Sequence, residues 1–152
     1  MVETQSGISI MDPIVLFAEP GGFHDLLAYY LRRKGFPVTH VPPSHSSEWS
    51  GIRNVNVLVL TGEDYHRYSD SFLKKLQAAN PDFRMILLYD MEESGSFRDL
   101  EDPRIFGYFE KPLLRYRHMF LLTVRNAWEY ASLQSRLRAA PRGNTLPVHQ
   151  PG

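Results

Sequence analysis

Residues 55–60 read Val55-Asn56-Val57-Leu58-Val59-Leu60 and close on Thr61-Gly62. A short, continuous run of aliphatic and β-branched residues bounded by a turn reads as a strand buried on both faces, the pattern of a parallel sheet. The same texture recurs at residues 13–18 (PIVLFA) and 85–89 (MILLY). Residues 36–41 (FPVTHV) and 105–109 (IFGYF) are weaker candidates, and Pro37 assigns the first of these to an edge.

Helical stretches fill the intervals. Residues 23–34 carry Leu26, Leu27, Tyr30 and Leu31 at helical spacing and break at Gly35, while residues 69–79 carry Phe72, Leu73 and Leu76 before Asn80-Pro81. Poorer helices are expected at 46–52 and 94–100. The last helix runs from Leu114 or Arg117 to about Arg138, with Phe120, Val124, Ala127 and Ala131 on one stripe. Tyr130, Leu133 and Leu137 leave that stripe, so an overhang is expected.

Strand and helix alternate five times, which predicts an open parallel sheet with helices on both faces. Its ligand crevice lies at the carboxyl ends of the strands. One domain is expected over residues 13–127, extended by the last helix over 128–140, with 1–12 and the Pro- and Gly-rich 141–152 lacking ordered structure.

The chain has 152 residues, 43% of them hydrophobic, enough to bury a core. Zero cysteine excludes disulfides, thiolate metal sites and cysteine nucleophiles. No apolar run approaches the ~18 residues of a membrane span, nor do the first twelve residues follow a signal-peptide pattern, so a cytoplasmic location is expected. The 17 basic and 17 acidic side chains cancel, but unevenly: residues 1–110 carry a net −6, and the segment from Lys111 onward +6. That asymmetry fits a nucleic-acid surface, a solvated helix, or two complementary faces of a self-associating module.

Four spacings along residues 14–125 resemble the receiver domain of bacterial response regulators. Glu19 stands sixteen residues before Gly35-Phe36, as the second acid of that family's first-strand pair does. The interval to Phe72-Leu73 puts Thr61 where the family has its phosphoacceptor aspartate. Tyr89, twenty-two residues before Lys111, stands at the Thr or Ser position, and Gly107-Tyr108-Phe109-Glu110-Lys111-Pro112 matches the fifth-strand motif. The resemblance implies a flavodoxin-like (βα)5 three-layer sandwich with sheet order 2-1-3-4-5, here with an extended last helix.

It also makes the departures readable. Phosphoryl transfer to aspartate needs a carboxylate nucleophile, Mg²⁺ held by that group and the acid pair, and a Lys and a hydroxyl facing the phosphoryl oxygens. In this sequence Ala18 stands for the first acid, Thr61 for the nucleophile and Tyr89 for the hydroxyl, which leaves Glu19 and Lys111. A single acid is a poor site for a hard cation, so Mg²⁺ binding is expected to be lost and no other metal or cofactor is expected. Lys111 is expected to pair with Glu19, with anion binding as the alternative. Glu63 and Asp64 follow Thr61 closely, and either could serve as a displaced acceptor. Tyr108 occupies the position of the family's switch aromatic, as a gated rotamer or as a plain surface tyrosine. The six histidines show no metal-pair spacing.

The family frequently dimerises through its fourth helix, fifth strand and last helix. By that resemblance Asp99, Glu101 and Asp102 would meet Arg115, Arg117 and Arg125 of a second copy, with Tyr130, Leu133 and Leu137 as the apolar seam. The expectation is therefore a pseudo-receiver acting in signal transduction as a phosphorylation-independent dimerisation or protein-interaction module, not an enzyme, with an unnamed signalling partner and no membrane. A phosphorelay receiver with an acceptor in the 63–64 region is the alternative. Nucleic-acid binding ranks last because the arginines of the last helix form no stripe.

Overall fold

A computed structural model describes residues 8–10, 13–52, 54–90 and 101–140. Five strands form a parallel sheet: β2 (Ile14–Phe17), β3 (Val38–Val41), β5 (Val57–Thr61), β6 (Arg84–Tyr89) and β7 (Ile105–Glu110), in the spatial order β3-β2-β5-β6-β7. Counted along the chain within this sheet, that is order 2-1-3-4-5. The central strand β5 is fully buried from Val57 to Leu60, as its unbroken apolar run requires.

Alternate residues of each strand feed two separate cores. On one face Leu16, Val59, Ile86 and Phe109 pack against Leu27 and Leu31 of α1 (Gly22–Arg33) and Phe120, Val124 and Ala127 of α4 (Arg117–Ala139). On the other, Phe17, Leu58, Leu60 and Leu87 pack against Phe72, Leu73 and Leu76 of α3 (Phe72–Ala79). α1 ends where Gly35 adopts φ 92°, and Phe36 N–H then donates to the Leu31 carbonyl at 3.0 Å, closing the last turn. α3 ends at Asn80, whose Oδ1 accepts from Val55 N–H at 3.0 Å and whose Nδ2 donates to the Leu76 carbonyl at 3.2 Å. One amide thus stops a helix and aligns the start of the central strand.

Several elements differ from expectation. Ile8–Ile10, expected to lack order, forms β1 and pairs in parallel with β4 (Trp49–Ile52). The helix expected at 46–52 is instead a 3₁₀ turn, Pro43–Glu48, followed by β4; the serine-rich sequence SHSSE lacks a helical apolar stripe. A short helix α2 (Gly62–Arg67) precedes α3. The helix expected at 94–100 lies outside the described residues, as do most of 1–12 and all of 141–152.

The end of α4 does not overhang freely. Ala131 is fully buried, and Arg138 donates through Nε and Nη2 to the two carboxylate oxygens of Asp82, at 3.0 and 2.6 Å. Asp82 lies just before β6, so the last turn of α4 is tied to the floor of the sheet. Arg138 is the cause of the lowered Asp82 pKa. A helix of 23 residues spans about 34 Å, long enough to reach that floor from the opposite rim.

The entry to β7 is held by a second cluster. Asp102 accepts from Arg104 Nε at 2.8 Å and from the Tyr65 hydroxyl at 2.8 Å, while Arg104 Nη1 donates to Gln77 Oε1 at 2.7 Å. The Arg104 guanidinium holds the Asp102 carboxyl at about 2, and burial, reinforced by Asp102, pushes the Tyr65 phenol up to about 12. A depressed carboxylate pKa contributes stability that is present above the unfolded value and is lost as pH falls through the folded value. Wild type is therefore expected to lose urea resistance steeply between about pH 4 and pH 2, and Asp102→Asn, weaker at neutral pH, to lose less over that interval. Equal slopes for the two proteins would contradict this assignment.

Candidate functional site

In a parallel sheet all strands end on one rim, and the register brings the candidate residues to it. Phe17 pairs with Leu60, Thr61 with Leu88, and Tyr89 with Glu110. Ala18, Thr61, Tyr89 and Lys111 consequently stand at one rim of the sheet, Ala18 buried beneath it and Glu19 one residue beyond.

Each polar group there has a local partner. Thr61 is the N-cap of α2: its backbone is extended at φ −80° and ψ 158°, and its Oγ1 accepts from Asp64 N–H at 3.1 Å. Glu19 accepts from Ser44 N–H at 2.8 Å and from the Ser44 hydroxyl at 3.2 Å, bridging β2 to the turn after β3. Lys111 Nζ lies 3.6 Å from Asp90 Oδ1 and 5.9 Å from the centroid of the Phe23 ring. The expected Glu19–Lys111 pair is thus replaced by Lys111–Asp90, because Ser44 draws the Glu19 carboxylate toward β3. Lys111 N–H donates to the Tyr89 carbonyl at 2.8 Å, and the peptide between Lys111 and Pro112 is cis. Tyr89 is partly buried at the end of β6.

Two histidines that sequence reasoning passed over stand at this rim. His24, in the first turn of α1, has Nδ1 at 3.0 Å from the Glu19 carbonyl, and its Nε2 is buried without a hydrogen bond among the described residues. Burial lowers its pKa, and Lys111 and His40 lower it further. His40 Nε2 lies 2.9 Å from the Ala18 carbonyl, with its Nδ1 3.8 Å from Asp25. Metal-ligand spacing could not reveal them, since strand pairing, not sequence proximity, brings His40 to Ala18.

The candidate alternative acceptors are also placed. Glu63 accepts from Arg67 Nη2 at 2.9 Å, one turn along α2, and the Asp64 carboxyl is half-buried, with burial raising its pKa. Among the described residues no group of three His, Cys, Asp or Glu side chains could hold a metal ion.

The expected partner face separates into parts. Asp99 lies outside the described residues and Glu101 is exposed. Asp102 is corrected: its side chain is 11% exposed and bound to Arg104 and Tyr65, so it is not a free surface acid. Arg115 is exposed near the start of α4, whereas Arg117 and Arg125 line clefts against α1, away from β7. Tyr130 lies against Phe106 of β7 at 5.4 Å, under the guanidinium of Arg84 at 4.8 Å. Leu133 and Leu137 continue its line, and Met119 and Leu122, overlooked in the sequence, precede it. All five are 42–61% exposed and fall within an arc of about 80° of the helix. Their spacing of three, eight, three and four was available in the sequence, but the buried stripe drew attention first. Tyr108 is 37% exposed on β7.

No protein-family model matches the sequence, and neither does any curated protein. Two solved structures share the fold. A response regulator receiver domain protein from Clostridium thermocellum has a TM-score of 0.58 and 14% identity, over 82% of this chain and 99% of that one. An adenylate cyclase from Rhodopirellula baltica has a TM-score of 0.52 and 14% identity, over 86% of this chain and 100% of that one. The chain therefore has the receiver-like fold, and at such identity the likeness extends to fold alone. No helix among the described residues is long and apolar enough to cross a membrane.

The capping role of Thr61 is testable apart from function. Thr61→Ala is expected to cost about 1 kcal/mol in chemical denaturation, and Thr61→Ser to retain most of it. Equal losses in both would mean that the hydroxyl caps nothing.

Proposed function

We propose that this chain is a cytoplasmic signal-transduction module, a pseudo-receiver that works without aspartyl phosphorylation and without Mg²⁺, and that it acts by binding a second copy of itself or a signalling partner. The observation that carries the reading is the state of the crevice. Thr61 spends its hydroxyl on a helix cap, Glu19 is held by Ser44, and Lys111 faces Asp90. A phosphoryl group would have to displace three internal contacts and would find no carboxylate at the end of β5. Asp64 does not stand in its place, because it lies three residues beyond Thr61 in the first turn of α2, where its backbone N–H is held by the Thr61 hydroxyl.

The recognition surface in this reading is the exposed apolar stripe of α4 beside β7. From Met119 to Leu137 it extends about 27 Å, long enough for a two-helix seam. A second copy is the occupant we assign, because a closed twofold pairing lets one stripe cover another. Glu101 and Arg115 flank it and would fix register more than affinity, since exposed ion pairs contribute only ~0–1 kcal/mol each.

Acetyl phosphate with Mg²⁺ is expected to leave the protein unlabelled by intact mass. A phosphorylated product lost in Glu63→Gln or Asp64→Asn would establish the alternative acceptor instead. In sedimentation at tens of micromolar, wild type is expected to be a dimer in both low and high salt, and Leu133→Glu with Leu137→Glu a folded monomer. A wild-type monomer in both salts would remove the self-association reading.

A further inference from the structure

At the end of the sheet opposite the crevice, two clefts meet along the last turns of α4. The smaller, about 380 Å³, lies between α4 and the C-terminal turn of α1 and is lined by Lys34, Arg125, Trp128, Glu129 and Arg136, among others. The larger, about 690 Å³, opens below β5 and β6, where Asn54, Asn56 and Ser135 line it together with Asp82 and Arg138. Ser132 and Arg136 belong to both, so they form the ridge between two halves of one elongated depression. Each half falls within the ~300–1,000 Å³ of small-molecule sites.

The lining has unspent hydrogen-bonding capacity. Asp82 is neutralised by Arg138. By contrast, the side chains of Asn54, Asn56, Ser132, Ser135, Arg125 and Arg136 make no hydrogen bond or ion pair with the described residues. Arg125 and Glu129, a helical turn apart, do not pair. Trp128 packs against Phe36 at 6.1 Å and is only partly buried, and its indole N–H has no acceptor among the described residues. Three cations face one acid in the smaller cleft, and donors outnumber carboxylates around the whole depression.

We propose that this depression binds a phosphate monoester of mononucleotide size. The phosphate would sit in the smaller cleft between Lys34 and Arg136, where an anion satisfies charge-assisted donors. The polar body would cross the Arg136 ridge to the amides and hydroxyls of the larger cleft. Glu129 is the one opposing charge, and it selects for a ligand whose phosphate stays on the Lys34–Arg136 side. The apolar stripe ending in Leu133 and Leu137 runs along the adjoining face of α4, its centre about 100° round the helix from that of the cleft residues.

The test uses the whole chain with Trp49→Phe, leaving Trp128 as reporter. Titration with AMP is expected to change Trp128 emission saturably in the sub-millimolar to low-millimolar range. Arg136→Ala and Lys34→Ala, both at exposed positions, are each expected to weaken binding about tenfold, ~1.4 kcal/mol. Inorganic phosphate should bind more weakly than AMP, and Met119→Glu, at the far end of α4, should leave the titration unchanged. No saturable response to AMP, an unchanged affinity in both the Arg136 and Lys34 variants, or phosphate binding as tightly as AMP would each overturn the proposal.

Discussion

The burial of β5 on both faces is the constraint from which the remaining structure follows. Val57 to Leu60 present no polar side chain to either side, so helices must cover both, and parallel neighbours must extend the sheet in both directions. Parallel strands cannot be joined by tight turns. Each crossover therefore carries the chain back to the same floor, and all the strands finish on the same rim. The position of the crevice, and of the opposite depression below β5 and β6, is a geometric result of that one apolar run.

Much of this was legible before any coordinates. Buried strands have unbroken aliphatic runs, and α1, α3 and α4 have apolar stripes that end at Gly35, Asn80 and the tail. The register of Glu19, Thr61, Tyr89 and Lys111 also follows from spacing, because strand lengths and crossovers leave little freedom. What could not be read was which groups pair across elements. Lys111 takes Asp90, Glu19 takes Ser44, and Asp102 takes Arg104 and Tyr65. These choices depend on side-chain reach of a few ångströms, to which composition and periodicity are blind. The Trp49–Ile52 strand was missed for a related reason: its partner, Ile8–Ile10, lies far away in the sequence and has too short a pattern to register.

The two ends of the domain thus differ in chemistry. At the rim, the Thr61 hydroxyl, the Glu19 carboxylate and the Lys111 ammonium are engaged by a cap and by neighbours, while the buried His24 Nε2 has no hydrogen bond among the described residues. At the floor, Arg138 and Asp82 satisfy each other, while the side chains of Asn54, Asn56, Ser135 and Arg136 make no hydrogen bond with the described residues. The long final helix connects the two ends, contacting β7 near one and the loop before β6 near the other.

Phe106 is the extra residue where β7 pairs with β6, since Met85 pairs with Ile105 and Ile86 with Gly107. A bulge on an outer strand interrupts the even row of amides and carbonyls on which another strand could grow. The displaced ring leans on Tyr130, which in turn carries the Arg84 guanidinium. That stacked trio makes the margin of the sheet thick and cationic, hostile to intruding extended chains. An extended chain arriving along this margin therefore meets a bulged, ring-covered edge instead of an even row of backbone groups to pair with.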